Sequence, residues 1–236
     1  KLMSICPLAD LELEKSLTDI RSCLLLSVTQ LTASPEVLRF QSALALQCFT
    51  NEYVYDLSDL ENKAFQALEV LVTKMLGKGQ QPNPHSVLCL ASYKALHEYD
   101  WCDLLTITND IEEVFTRQVM EPKQEARMKP DIPALEEITD KVSSKVRDQY
   151  EESPYPRWVN LGLSFKSLSI SEVSDKRELR LFDNTINKVT APNILIAGCG
   201  TGQDSISTAA RFQNSKVLAI DLSLSSLAYA KRKTEE

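Results

Sequence analysis

Apolar residues recur at helical spacing through most of the first 150 positions, and a strand-like period sets in only beyond position 190. Residues 10–27 predict one helix, with Leu11, Leu13, Leu17, Ile20, Cys23, Leu24 and Leu25 on a broad apolar face. Ser34-Pro35-Glu36 predicts a second start, a serine cap with proline in the first turn. The helix behind it is expected to bury Val37, Leu38, Leu44, Cys48 and Phe49. Ser58-Asp59-Leu60-Glu61 has the spacing of a capping box, and Leu60, Ala64, Leu68, Leu71, Val72 and Met75 follow before a stop at Gly77. After a loop over 77–84, Asn83-Pro84 reopens a helix through Val87, Leu88, Leu90, Ala91, Ala95 and Leu96. Further helices are expected over 110–119 and 138–151. No fixed-period repeat emerges, which argues against a solenoid.

The pattern then changes. Residues 146–158 read VRDQYEESPYPRW, a charged helix end followed by prolines at 154 and 156 that force an extended path. Leu179, Phe182 and Ile186 predict a helix over 176–187. Beyond Pro192, the run Ile194-Leu195-Ile196-Ala197 reads as a buried parallel strand. Gly198, Gly200 and Gly202 alternate directly after it. A helix over 203–212 offers Ile206, Ala209, Ala210 and Phe212 for packing, a second strand over 216–220 ends on Asp221, and one more helix covers 223–233.

Strand, glycine turn, helix, strand, acid is the order of a unit that binds adenosine-containing cofactors, and each part has a physical reason. A strand that turns directly into a helix needs positive φ, which glycine adopts without a Cβ clash. Bare backbone lets a ligand lie close, and the helix N-terminus offers unpaired N–H groups. Asp221, 19 residues beyond Gly202, stands where a carboxylate accepts from ribose hydroxyls. The dinucleotide spacing G-x-G-x-x-G/A fits poorly, because its third slot falls on Gln203 or Ser205. The spacing present is G-x-G-x-G. With ILIAGCGTG at 194–202 and AIDLSLSSLAYAK at 219–231, the chain resembles the class I, Rossmann-like methyltransferases that depend on S-adenosylmethionine. One departure stands out: those enzymes usually carry an acid two residues before the first glycine, and this chain has Ile196. Asp204 is the nearest acid that could take over part of that role.

The segment at 146–158, with ALQCFTNEYVY at 45–55 and EPKQEARMKPDIP at 121–133, resembles bacterial methyltransferases often fused to tetratricopeptide repeats. In those chains a similar tyrosine- and proline-rich segment precedes the cofactor domain. Two roles are open for it here. It is a strap across the cofactor pocket, with Tyr150, Tyr155 or Arg157 facing the ligand, or a linker whose aromatic residues staple two domains together.

Composition narrows the field. A charge of −7 argues against a non-specific nucleic-acid or anionic-membrane surface, and no apolar run approaches the ~20 residues of a membrane span. The six cysteines lack metal-ligand spacing and are read as reduced small hydrophobes of a cytoplasmic protein. Cys199 is read as filling the middle of GCGTG rather than as a catalytic thiol. His85 and His97 are too isolated for a metal site, and Glu112-Glu113 and Glu136-Glu137 are read as solvated helix faces.

The fold expected is a mainly α helical domain over 1–145, a Pro/aromatic connector with a flanking helix over 146–192, and an incomplete α/β Rossmann-like unit over 193–236. The resemblance implies a larger sheet than the two strong strands, so the chain is expected to be the N-terminal portion of a longer methyltransferase, inactive as it stands. It also implies S-adenosylmethionine as cofactor, held by Gly198, Gly200, Gly202 and Asp221 with Tyr155 and Arg157. The acceptor, a small molecule or protein, and the catalytic residues are not identified. No metal and no nucleic acid are expected. A homodimer is expected from the exposed strand. The competing reading is a non-catalytic protein-interaction module with a vestigial Rossmann unit.

Overall fold

The structure, a computed structural model, describes residues 2–8, 10–32, 34–135, 140–152, 154–163 and 166–236. The chain forms two compact units, 1–124 and 125–236.

The first unit is helical. Helix α1 (Leu11–Leu26) lies within the stretch its apolar face predicted, and α2 (Pro35–Thr50), α3 (Asp59–Gly77) and α4 (Pro84–Ala91) begin where the cap signals placed them. Asp10 accepts from the Leu13 N–H at 2.9 Å, Asn83 accepts from His85, and Ser58 and Glu61 close a reciprocal capping box. Ser34 differs, since its hydroxyl bonds Glu36 rather than a backbone N–H. α2 packs against α4, and α1 and α3 lie beside them around Leu46, Leu68, Val72, Leu88, Leu90 and Leu96.

The buried stripe of α1 is narrower than the apolar face read from sequence: Leu17, Arg21 and Leu25 are buried, whereas Leu11 and Ile20 are exposed. Arg21 is only 3% exposed. It donates to the Asp56 carbonyl at 2.6 Å, lies 3.7 Å from Glu61, and sits over the Tyr93 ring at 4.2 Å. Tyr93 in turn donates to Glu61 at 2.8 Å. A buried guanidinium is tolerable only with such partners. The capping-box acid therefore also serves as its counter-ion. On α3, Leu60 and Leu71 face outward, and Leu68, Val72 and Leu76 carry the core.

The helix expected over 110–119 is a short α5 (Glu112–Phe115), then a π-helical turn (Thr116–Met120), then α6 (Glu121–Met128). The π turn presents buried Gln118, whose amide donates to the Ala45 and Ala91 carbonyls at 3.2 and 3.0 Å. Both histidines are absorbed in this packing, His85 bonding Gln41 and His97 donating to the Gln118 carbonyl at 2.8 Å. Glu112 and Glu113 are exposed. Glu136, Glu137 and the expected helix start at Ile138 lie outside the described residues.

The second unit contains α7 (Lys141–Glu152), α8 (Ile170–Lys176), β1 (Asn193–Ala197), α9 (Gln203–Arg211), β2 (Lys216–Ile220) and α10 (Leu224–Glu235). The helix expected over 176–187 is replaced by α8, which ends at Lys176, and a 3₁₀ turn at Asn184–Lys188. The cause is a capping box unread in the sequence: Ser169 accepts from the Glu172 N–H, and Glu172 accepts from the Ser169 N–H at 2.7 Å. That sets the helix frame early, and Glu178, left-handed at φ 53°, ends it. Leu179, Phe182 and Ile186 are consequently exposed.

β1 and β2 pair in parallel, with Leu195 opposite Leu218 and Ala197 opposite Ile220, the right geometry for a βαβ unit around α9. The expectation of a buried strand is corrected. Leu195 and Leu218 are 61% and 60% exposed on one face, while Ile194, Ile196 and Val217 on the other are partly covered. With two strands and α9 against β2, only one face has a helical cover among the described residues.

Candidate functional site

The chain leaves β1 through a turn in which Gly198, Gly200 and Gly202 all take left-handed backbone, at φ 73°, 51° and 83°. The N–H groups of Gly198 and Cys199 both donate to the Ile220 carbonyl, at 2.8 and 3.1 Å, and so bind the turn to the end of β2. Gly202 is the N-cap of α9, and no side chain caps that helix. Its first N–H groups thus remain available to a ligand.

The three glycines are not equivalent. A Cβ on Gly202 would stand 2.5 Å from the Ala230 Cβ, so this glycine exists to let α10 approach. A Cβ on Gly198 would meet nothing within 4 Å, which leaves open space beside the backbone. At Gly200 the nearest neighbour is the Tyr155 carbonyl, 3.9 Å from such a Cβ.

Asp221 closes the turn from below. One carboxylate oxygen accepts from the Gly200 N–H at 2.7 Å, the other from the Ser223 N–H at 3.0 Å. A carboxylate has about four acceptor positions, so two remain for a ligand. Cys199 is buried beside it, and burial first, then the Asp221 charge, push its thiol pKa up. A raised pKa is the opposite of what a nucleophilic thiolate needs.

The connector runs against this turn. Thr201 is gripped twice: its hydroxyl donates to the Pro156 carbonyl at 2.8 Å, and its own carbonyl accepts from the Trp158 indole at 3.0 Å. Trp158 is buried edge-to-face on Tyr229 of α10 at 6.0 Å, and the Tyr229 hydroxyl donates to the Trp158 carbonyl. The Tyr155–Pro156 peptide is cis. Tyr155 and Tyr150 are exposed, and Arg157 is partly buried. Sequence reading singled out Tyr155 and Arg157 but missed Trp158, Thr201 and Tyr229 as the joint. The indole in YPRW and the lone tyrosine of the AYAK helix were the signals.

At the start of α10, Ser223 caps the Ser226 N–H at 3.0 Å and donates to the Tyr150 carbonyl. Glu151 accepts from the Ser225 N–H and hydroxyl and pairs with Lys129 at 3.2 Å. Burial alone would raise its pKa, but the Ser225 and Lys129 hydrogen bonds outweigh it and hold the carboxyl below 4.5. Arg232 is buried against Glu125 at 2.8 Å and against Glu236.

A cavity of about 450 Å³ lies elsewhere in this unit, and no glycine-turn residue lines it. All six cysteines are free, and burial pushes Cys48 and Cys89 up to about 12. Among the described residues no helix is long and apolar enough to cross a membrane, and no group of His, Cys, Asp and Glu is placed to hold a metal ion.

Residues 194–236 match a family model described as a methyltransferase domain. The match takes in β1, the glycine turn, α9, β2, Asp221 and α10, and supports a class I methyltransferase domain in this part of the chain. In comparisons with curated proteins and with solved structures, nothing matches.

Proposed function

We propose that the second unit is the cofactor-binding part of a methyltransferase that uses S-adenosylmethionine. The observation that carries this reading is the left-handed glycine turn braced by the acid of the next strand, inside the matched methyltransferase stretch. The fit is favourable at one place in particular. Gly198 has open space where a side chain would stand, beside an uncapped helix N-terminus.

In this proposal Gly198 and Gly200 lie against the cofactor, while Asp221 accepts from its ribose hydroxyls with the lone pairs the backbone leaves free. Gly202 acts at one remove, by holding α10 against the turn. Tyr155 and Arg157 flank the ligand from the connector, whose joint at Thr201 and Trp158 fixes where they stand. Bound S-adenosylmethionine supplies an electrophilic methyl group on a sulfonium. The chain contributes position and exclusion of water. Ile196 offers no acid ahead of the turn, and Asp204 on the first turn of α9 is the nearest substitute. Because the turn is open on one side, weak cofactor binding and no turnover are expected of these residues alone.

The competing reading, a scaffold for protein interaction, draws on one observation: both Asp221 oxygens already have backbone donors. Calorimetry with S-adenosylhomocysteine separates the two. Saturable heat that Asp221→Asn reduces supports the cofactor site, and no heat at millimolar ligand supports the scaffold.

A further inference from the structure

The cavity of about 450 Å³ is bounded by the end of α8, by Gly162, Leu163 and Leu168, and by the C-terminal half of α9. Its volume is within the ~300–1,000 Å³ of small-molecule pockets. Arg211 lies about 13 Å along α9 from Gly202, so the cavity is at the far end of that helix from the glycine turn. The two places do not share a residue.

The lining divides by chemistry. Leu163, Leu168 and Val173 give an apolar wall, and Lys176, Arg177 and Arg211 bring three cations to one opening, with Ser207 one helical turn from Arg211. In a chain of net charge −7, three converging cations need a reason. Among the described residues, no carboxylate stands within ion-pair distance of Lys176, Arg177 or Arg211.

Basic residues often sit at helix C-termini simply to satisfy carbonyls. Several of the last carbonyls of both helices already have backbone donors here. The Val173, Ser174 and Asp175 carbonyls of α8 accept from the Arg177, Leu179 and Glu178 N–H groups, at 3.0, 2.9 and 3.1 Å. At the end of α9, Thr208 accepts from Phe212, and Arg211 accepts from Leu168 at 2.7 Å. The three head groups are not needed as caps for those carbonyls and, with no carboxylate beside them, are available to an anion in the cavity.

We propose that this cavity binds a small amphiphilic anion, a phosphate or carboxylate with a short hydrocarbon body. Arg177, Arg211 and Lys176 hold the head through charge-assisted hydrogen bonds, and Leu168 and Val173 take the hydrocarbon. The site is separate from the glycine turn, and the proposal stands whether or not that turn binds a cofactor. Its ligand is a free molecule rather than a membrane headgroup, because Leu168 and Val173, which take the hydrocarbon, are half-buried and buried rather than presented at the surface.

The test is calorimetric titration of the full chain with octyl phosphate, inorganic phosphate and octanol. Octyl phosphate is expected to bind saturably below millimolar concentration, inorganic phosphate more weakly, and octanol not at all. Arg177→Gln and Arg211→Gln should each weaken octyl phosphate about tenfold or more. Arg180→Gln, an exposed cation outside the cavity, should leave it unchanged. Circular dichroism checks each fold, and Arg211→Met replaces Arg211→Gln if the latter unfolds. The absence of saturable binding, or equal binding by the cavity variants, would overturn the proposal. So would variant-sensitive binding to phosphatidylglycerol vesicles without binding of monomeric octyl phosphate.

Discussion

Replacing Gly202 with alanine separates the structural part of the glycine turn from its ligand-facing part. The new Cβ would stand 2.5 Å from the Ala230 Cβ and 3.2 Å from its Cα, and a Cβ fixed directly to the α10 backbone cannot swing aside. The φ of 83° adds a left-handed cost of about 1–2 kcal/mol for a residue with a Cβ. Overpacking adds roughly 1–3 kcal/mol. The sum, about 2–5 kcal/mol, should be read as a loss of unfolding free energy in urea, followed by circular dichroism. Adding Ala230→Gly removes the 2.5 Å contact and leaves only the one at 3.2 Å. It should recover the overpacking share, less about 1 kcal/mol for a glycine inside α10. Gly198→Ala, with nothing to strike, should cost only the ~1–2 kcal/mol of its left-handed backbone. A Gly202→Ala variant as stable as the parent, or a double variant that recovers nothing, would refute the assignment of Gly202 to helix packing.

Other outcomes follow from the same coordinates. Asp221→Ala removes an acceptor of two backbone N–H groups, so amide exchange at Gly200 and Ser223 should quicken about ten- to a hundredfold, and unchanged exchange would mean the brace is idle. Glu151 has a folded pKa held below the ordinary glutamate value, so its contribution is fully present above that ordinary value and fades as pH falls through the lower folded one. Glu151→Gln should therefore flatten the acid side of the stability profile, and a profile of unchanged slope would count against the Ser225–Lys129 cluster. The exposed pair Leu195 and Leu218, together with unpaired strand edges, should drive self-association that Leu195→Lys with Leu218→Lys suppresses in light scattering. A parent chain that is strictly monomeric at the same concentration would contradict that expectation.

Much of the local structure was legible because it is local physics. The caps at Ser58 and Asn83 depend on residues within a few positions of one another, and the βαβ order around the glycines on one contiguous stretch. What escaped depends on distant partners. Arg21 lies on the same helical stripe as Leu17 and Leu25, yet burying it requires Glu61 and Tyr93, more than thirty residues away. The helix expected over 176–187 is displaced because the Ser169–Glu172 box, unread in the sequence, fixes the helix start ahead of the periodic apolar set. Gly202 and Gly198 look alike as letters, and only the position of Ala230 tells them apart. Lys176 and Arg177 at the end of α8 and Arg211 of α9, which line the cavity, are too far apart in sequence to be read as one feature.

The most direct test of the central claim uses the chain's six glycines, three in the turn and three outside it. With glycine ¹⁵N-labelled chain, S-adenosylhomocysteine is titrated to millimolar concentration, and the amide signals are followed by NMR. The account predicts saturable shifts at Gly198 and Gly200, with smaller ones at Gly202 and none at Gly77 and Gly79 of the first unit. Unmoved turn signals, or shifts of equal size at all six, would contradict a cofactor site at the glycine turn.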